Sequence, residues 1–335
     1  MTYYETFINA YQNYGAYLLR EMTFQSVPWY HNYFLWLVLI SAFFFGLEWI
    51  APWRKDQPRF RKDFWLDFFY MFFNFFLFSL IIYNAASDVV VQLFKDLLGT
   101  MGIRNLVAFE VASWPLWGHL LLGFLVRDFI QWWIHRLLHA SPFLWEYHKV
   151  HHSVEQMGFA AHLRYHWMEN VIYRTLEYIP LAMIGIGLND FFVIHIFTLA
   201  VGHYNHSNIS VDGKITGGVF GVLVGLVLMS TYGSATDFAF IFPIVAGLIG
   251  AFALGPYMKY MFNSPEMHIW HHSYELPADR QRGINFGLSL SVWDWLFGTA
   301  YMPHDGRDIR LGFPGVEEFP EGFVGQLGHG VGGKR

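Results

Sequence analysis

DFIQWWIHRLLHASPFLWEYHKVHHSVEQMGFAAHLRYH, residues 128–166, carries His135, His139, His148, His151 and His152 within 18 positions. An even spread of 17 histidines over 335 residues would place about one there. The first two form H-x-x-x-H. At about 100° per residue, positions four apart lie one turn apart on a single helix face, so both imidazoles can address one ion. H-x-x-H-H at 148–152 converges in the same way, and His268, His271 and His272 in HIWHH repeat that spacing far downstream. His203 and His206 in GHYNHSN add a further pair. A rare spacing used twice predicts helices whose faces close on a shared metal site.

The donor set narrows the metal. Neutral imidazole suits iron, zinc, copper or nickel, and a chain without cysteine has no thiolate for zinc ribbons or iron–sulfur clusters. One zinc takes three or four protein ligands, so eight or more converging histidines point to two metals. The isolated His31, His119, His195 and His329 are expected to be satisfied core or interfacial residues.

Composition indicates a membrane protein. Hydrophobic residues make up 54% and charged residues 14%, against about 25% charged in soluble domains. With 35 Phe, 19 Tyr and 14 Trp, apolar surface exceeds what a soluble monomer could hide. The net charge of −5 without a long basic run argues against a nucleic-acid partner.

Tyr33 to Ile50, charged only at Glu48, nearly crosses about 30 Å of hydrocarbon at about 1.5 Å per residue. The loop that follows holds Arg54, Lys55, Arg59, Arg61 and Lys62 against two aspartates, which makes it cytoplasmic by the positive-inside rule. Further spans are expected at 64–83 and 116–134, with an interfacial helix around 89–98 and an out-and-back pair at 171–188 and 191–204. The groups at 135/139, 148–152 and 203/206 then share the cytoplasmic side. Asp128 falls on the helix face of His135 and His139, and is expected to orient a ligand imidazole, to be a ligand itself, or to pair with Arg127.

HRLLH, HKVHH, HSNI and HIWHH, followed by NFGLSLSVWDWLFGT, closely resemble the fatty acid hydroxylase and sterol desaturase superfamily over roughly residues 45–302. That resemblance implies an all-α, integral-membrane helical bundle with a cytoplasmic-side helical cap holding a histidine-rich dimetal site. It further implies two non-haem iron ions, dioxygen, a lipid substrate to be hydroxylated or desaturated, and a separate electron-donor protein. The ligands carried over are His135, His139, His148, His151, His152, His206, His268, His271 and His272. His166 matches a position written R-x-H-P-x-E in the family, with Trp167 replacing the proline, and joins His203 and His162 as reserve ligands. Asn285 and Asp294 are expected to support the site through hydrogen bonds.

Residues 1–310 read as one membrane domain and 311–335 as a loose tail, in a chain free to form a homo-oligomer. The segment 213–258 departs from the family as a long apolar insert. Since His206 and His268 must reach one site, the insert must leave and return on one side, turning around Tyr232 to Asp237. Two other classes stay open: a zinc-type dimetal lipid hydrolase, and a histidine-rich metal transporter or sensor. A transport path would place histidines near the midplane and not at helix ends.

Overall fold

The computed structural model describes residues 2–26, 28–102, 107–111, 113–233 and 238–331, and within them not the side chains of 79–86. Helix α1 (Tyr3–Met22) opens with a capping box of Thr2 and Glu5 and lies along α4 (Ala85–Thr100), where the Tyr3 hydroxyl donates to Asp96 Oδ2 at 2.9 Å. Between them, α2 (Tyr33–Ile50) starts at Asn32, whose side chain accepts from Leu35 N. Helix α3 (Phe64–Phe72) runs on through wide π-helical turns over Phe73–Asn84.

Helix α5 (Leu116–Ala140) ends at Ser141, and the same serine caps α6 (Pro142–His152), with Pro142 in the first turn where its missing N–H costs nothing. This sharp corner folds the 135/139 face onto the 148/152 face. Helices α7 (Trp167–Met183) and α8 (Leu188–His206) occupy the stretch read as an out-and-back pair and are joined through Gly185, whose φ of 76° is one that glycine accepts without strain. Then come α9 (Gly213–Tyr232), α10 (Ile241–Ile249), and the short α11 (Met258–Met261), α12 (Pro265–His271), α13 (Val292–Leu296) and α14 (Phe323–Leu327). Among the described residues there is no strand, only two isolated bridges. The all-α expectation holds.

Among the described residues, three helices are long and apolar enough to cross a bilayer: α2, α9 and the run Ile241–Met261. The apolar run that begins α3, Phe64–Phe78, is shorter. Helix α5 packs on both α7 and α8 and turns its charge inward, with Arg127 paired to Glu177 and Gln131 Nε2 donating to Glu177 Oε2 at 3.0 Å.

The insert folds as a hairpin of α9 against α10. Gly213, Gly217, Gly221 and Gly225 recur every four residues along the contact. A Cβ on Gly221 would overlap Ala246 O, and one on Gly225 would overlap the Pro243 backbone, so two helices meet at backbone distance. Of the turn expected at 232–237, residues 234–237 lie outside the described residues.

The tail requires a correction. Leu311, Phe313, Val316 and Phe319 are buried, and the latter three share a cluster with Tyr70 and Val150. The Tyr70 hydroxyl donates to Gln326 Oε1 at 3.2 Å. The segment up to Val331 is a packed strap and not a loose tail. Its glycines suggested disorder, while its spaced apolar residues fill a gap beneath α3 and α6.

Candidate metal centre

Helix α5 presents His135 and His139, α6 presents His148 and His152, and α12 adds His271; their ligand atoms lie within 4.8 Å of one another. A second group, under the same limit, joins His151 of α6, His206 of α8, His268 of α12 and His272 at its C-cap. Neighbours on α6 thus serve different groups: the i, i+4 pair 148/152 faces one and His151 the other. The same division separates His271 from His268 and His272.

The outward nitrogens fix the tautomers. Nδ1 of His135 donates to Phe286 O at 2.8 Å, that of His271 to Ile284 O at 2.8 Å, that of His151 to Arg164 O at 3.0 Å and that of His206 to Gly202 O at 2.8 Å. Nδ1 of His148 lies 2.7 Å from Glu169 Oε2. A carbonyl oxygen only accepts, so each facing Nδ1 carries the proton and each Nε2 keeps its lone pair.

Those lone pairs converge inward. His135 Nε2 is 3.1 Å from His148 Nε2, and His206 Nε2 lies 3.3 Å from His151 Nε2 and 3.0 Å from His268 Nε2. His139 Nε2, His152 Nε2, His271 Nε2 and His272 Nδ1 are buried without a hydrogen-bond partner. Buried polar atoms left in this state cost free energy unless a cation occupies the space between them. Burial, reinforced by neighbouring imidazoles, also pulls His148, His152, His268, His271 and His272 well below the ordinary histidine pKa, and burial lowers His151 to about 3. The rings are neutral at pH 7, as ligation requires. The donor set fits two cations that accept nitrogen.

Residues 120–224 and 214–299 match the fatty acid hydroxylase family. The chain belongs to that family. The two matched stretches meet inside α9, where the hairpin begins. The chain is 26% identical over 215 residues to an ornithine lipid hydroxylase of Rhizobium tropici, covering 64% of this chain and 51% of that protein. It is 29% identical over 195 residues to a very-long-chain aldehyde decarbonylase of Oryza sativa subsp. japonica, covering 57% and 50%. The chain thus spans about half the length of the curated relatives it matches. No solved structure matches it.

In this fatty acid hydroxylase family member, the remaining expected residues fall around the histidines and not among them. Asp294 Oδ1 accepts from Trp132 Nε1 at 3.0 Å, Phe286 N at 2.8 Å and Thr299 Oγ1 at 2.6 Å, while Oδ2 accepts from Gly287 N at 2.8 Å. It holds the loop whose Phe286 carbonyl holds His135. Asn285 sits at a left-handed φ of 52°, which asparagine tolerates better than most residues. Its Nδ2 donates to Met267 O at 2.9 Å and Tyr301 O at 2.7 Å. Asp128 touches neither an imidazole nor Arg127 in its hydrogen bonds. It accepts from Ser289 N, Leu290 N and Trp293 Nε1 at 3.0, 3.2 and 2.8 Å, and so pins the same C-terminal loop to α5. Arg127 has turned to Glu177 instead.

His166, His203 and His162 stand outside both groups. His166 Nε2 donates to Leu327 O at 2.8 Å while its Nδ1 accepts from Met168 N at 3.1 Å, so it caps α7 and holds the tail strap. His203 lies between Ser41 Oγ and His162 Nδ1 at 3.1 and 3.0 Å. Sequence reasoning assigned no role to Glu169, although it stands in RYHWME three residues after His166. It also missed the carbonyls, because any residue type can supply one. A cavity of about 160 Å³ lies against His135, His148, His151, His206 and His268, and its far wall includes Gln131, Glu177 and Thr198.

Proposed function

We propose that this chain is a membrane-embedded oxidoreductase that uses two iron ions, dioxygen and electrons from a separate protein to hydroxylate or desaturate a lipid. The observation that carries the reading is the facing of nine histidine lone pairs in two groups. His135, His139, His148, His152 and His271 would hold one iron, and His151, His206, His268 and His272 the other. When bound, the two irons supply the reduction of dioxygen needed to attack an unactivated C–H bond. Family membership supports iron as the metal, and both relatives' names describe enzymes acting on lipids or long-chain aldehydes.

The chain's own residues do the positioning. Phe286 O, Ile284 O, Arg164 O and Gly202 O keep the protons on Nδ1 and aim Nε2 inward, and the Glu169 carboxylate raises the donor strength of His148. The cavity beside the histidines gives the reacting part of the substrate a place out of bulk water. The basic loop after α2 is tied to the end of α8, with Trp53 N donating to Asn208 O at 2.9 Å, so the histidines lie at the cytoplasmic end if the positive-inside rule orients the chain. Electrons must then arrive from the cytoplasm.

The test is metal analysis of purified protein together with lipid profiling of a host with and without the chain. Two irons per chain, and a lipid gaining one oxygen or losing two hydrogens, are expected. Two zincs with turnover independent of iron and dioxygen would overturn the reading in favour of a hydrolase.

A further inference from the structure

The cavity against the histidines has polar walls, although a bare hydrocarbon would be better served by apolar ones. It holds about 160 Å³, below the usual span of small-molecule pockets, so only the reacting part of a lipid enters it. Apolar space exists elsewhere: the groove of about 1100 Å³ between the α9–α10 hairpin and the core has Phe44, Phe197, Val201 and Leu223 among its walls. The inner cavity instead meets Arg127, Arg174, Glu169 and Glu177. Two guanidinium groups against two carboxylates leave no net charge to hold an ionised headgroup.

The far end of this wall is satisfied within itself. Arg127 pairs with Glu177, donates to Thr198 Oγ1 and lies 3.2 Å from His195 Nδ1, and Gln131 Nε2 takes the second oxygen of Glu177. Two tyrosines differ. Tyr165 and Tyr173 line the same cavity, and among the described residues neither hydroxyl is in a hydrogen bond. On α7, Tyr173 stands four residues after Glu169 and four before Glu177, so the three share a face. It is one turn, about 5–6 Å, from the residue whose carboxylate touches His148. Tyr165 follows Arg164, whose carbonyl holds His151. The two phenols thus start beside different histidine groups and enter one cavity. A methylene chain pressed against them would leave two O–H donors without an acceptor, whereas one carbonyl oxygen can accept both through its two lone pairs.

We infer that Tyr165 and Tyr173 hold a neutral carbonyl oxygen of the lipid, ester or amide, in the inner cavity, so that the carbon presented to the histidine groups lies a few bonds from that carbonyl and not far along an acyl chain. This names the reacting end of the substrate and rests on the proposed function for its chemistry, while the grip on the carbonyl is independent of which metal the histidines bind. The tyrosines position the lipid and supply no ligand.

The experiment is isothermal titration calorimetry of the full chain, detergent-solubilised and kept free of oxygen, with methyl dodecanoate and with tetradecane, probes of matched length that differ in the ester. The ester is expected to bind more tightly. Tyr165→Phe and Tyr173→Phe should each weaken ester binding by about three- to tenfold and leave tetradecane binding and metal content as in the wild type. Equal affinity for the two probes, no measurable ester binding, or unchanged ester binding in the double variant would overturn the inference. So would equal weakening of both probes, which reports a damaged cavity and not a lost donor. In the lipid recovered from a host carrying the chain, fragmentation mass spectrometry should place the added oxygen or double bond within a few carbons of a carbonyl; a change at the methyl end of an acyl chain would also overturn it. Ester selectivity that depends on the tyrosines, in a protein that oxidises no lipid, would strike the proposed function and leave this inference standing.

Discussion

Lowering the pH from 7 to 5 should loosen the histidine cap of the metal-free protein. His151 titrates near 3 in the folded chain and near 6.5 once unfolded. At pH 5 the unfolded chain has therefore taken up a proton that the folded chain refuses. Each pH unit below about 6.5 then costs about 1.4 kcal/mol, or about 2 kcal/mol at pH 5 for this one residue. The sign follows from the depressed folded value: stability is fully present above about 6.5 and is lost progressively as pH falls toward 3. His148, His152, His268, His271 and His272 are shifted the same way. Metal would be released over the same window, because the ligands must stay deprotonated. Trp145, whose ring centroid lies 4.9 Å from that of His139 and 5.1 Å from that of His152, reports the event through its fluorescence in chelator-treated, detergent-solubilised protein. A metal-free protein whose fluorescence and melting temperature do not change between pH 7 and pH 5 would refute the reasoning.

Glu169→Ala should lower affinity at the first histidine group by about 10- to 100-fold, read by competition with a chromogenic chelator, and Glu169→Gln should recover part of it. His271→Ala should remove activity and one metal while the chain stays in the membrane; His166→Ala should keep the full metal content and instead expose the 311–331 strap to limited proteolysis. Asp294→Ala strands three buried donors, those of Trp132, Phe286 and Gly287, and should cost about 3–5 kcal/mol in denaturant unfolding with weakened binding at the group containing His135. Gly221→Val should force α9 from α10 and lower the melting temperature without changing metal stoichiometry.

The sequence disclosed helices and histidines more readily than the bonds that orient them. Spacing sufficed for His148 and His152, because both the period of the helix and the reach of an imidazole are fixed quantities. It could not show that His151, one residue away, serves another group, since that depends on where α8 and α12 pass. The Asp128–Arg127 pairing was read from adjacency, yet neighbours in a helix point about 100° apart. Arg127 found Glu177, fifty positions later, on a facing helix. The hairpin was legible because 19 uncharged residues over 238–256 leave few other fates. The strap was misread because composition weighs all glycines alike, whereas packing depends on where the few apolar side chains fall.

Asn285 separates two carbonyls that address different helices: Ile284 O receives His271 of α12, and Phe286 O receives His135 of α5. Four of the five histidines in that group are translated by residue 152, but the peptide that fixes the proton on His135 follows much later, and Asp294 and Thr299 hold it only once they too have emerged. Until then the imidazole of His135 is free to exchange tautomers and to turn away. On the proposed function, an ion at this group is therefore expected to be loaded late, after nearly 300 residues have been made and the loop has closed. A nascent or truncated chain ending at α12 would carry nearly every ligand and still lack the peptide that aims two of them.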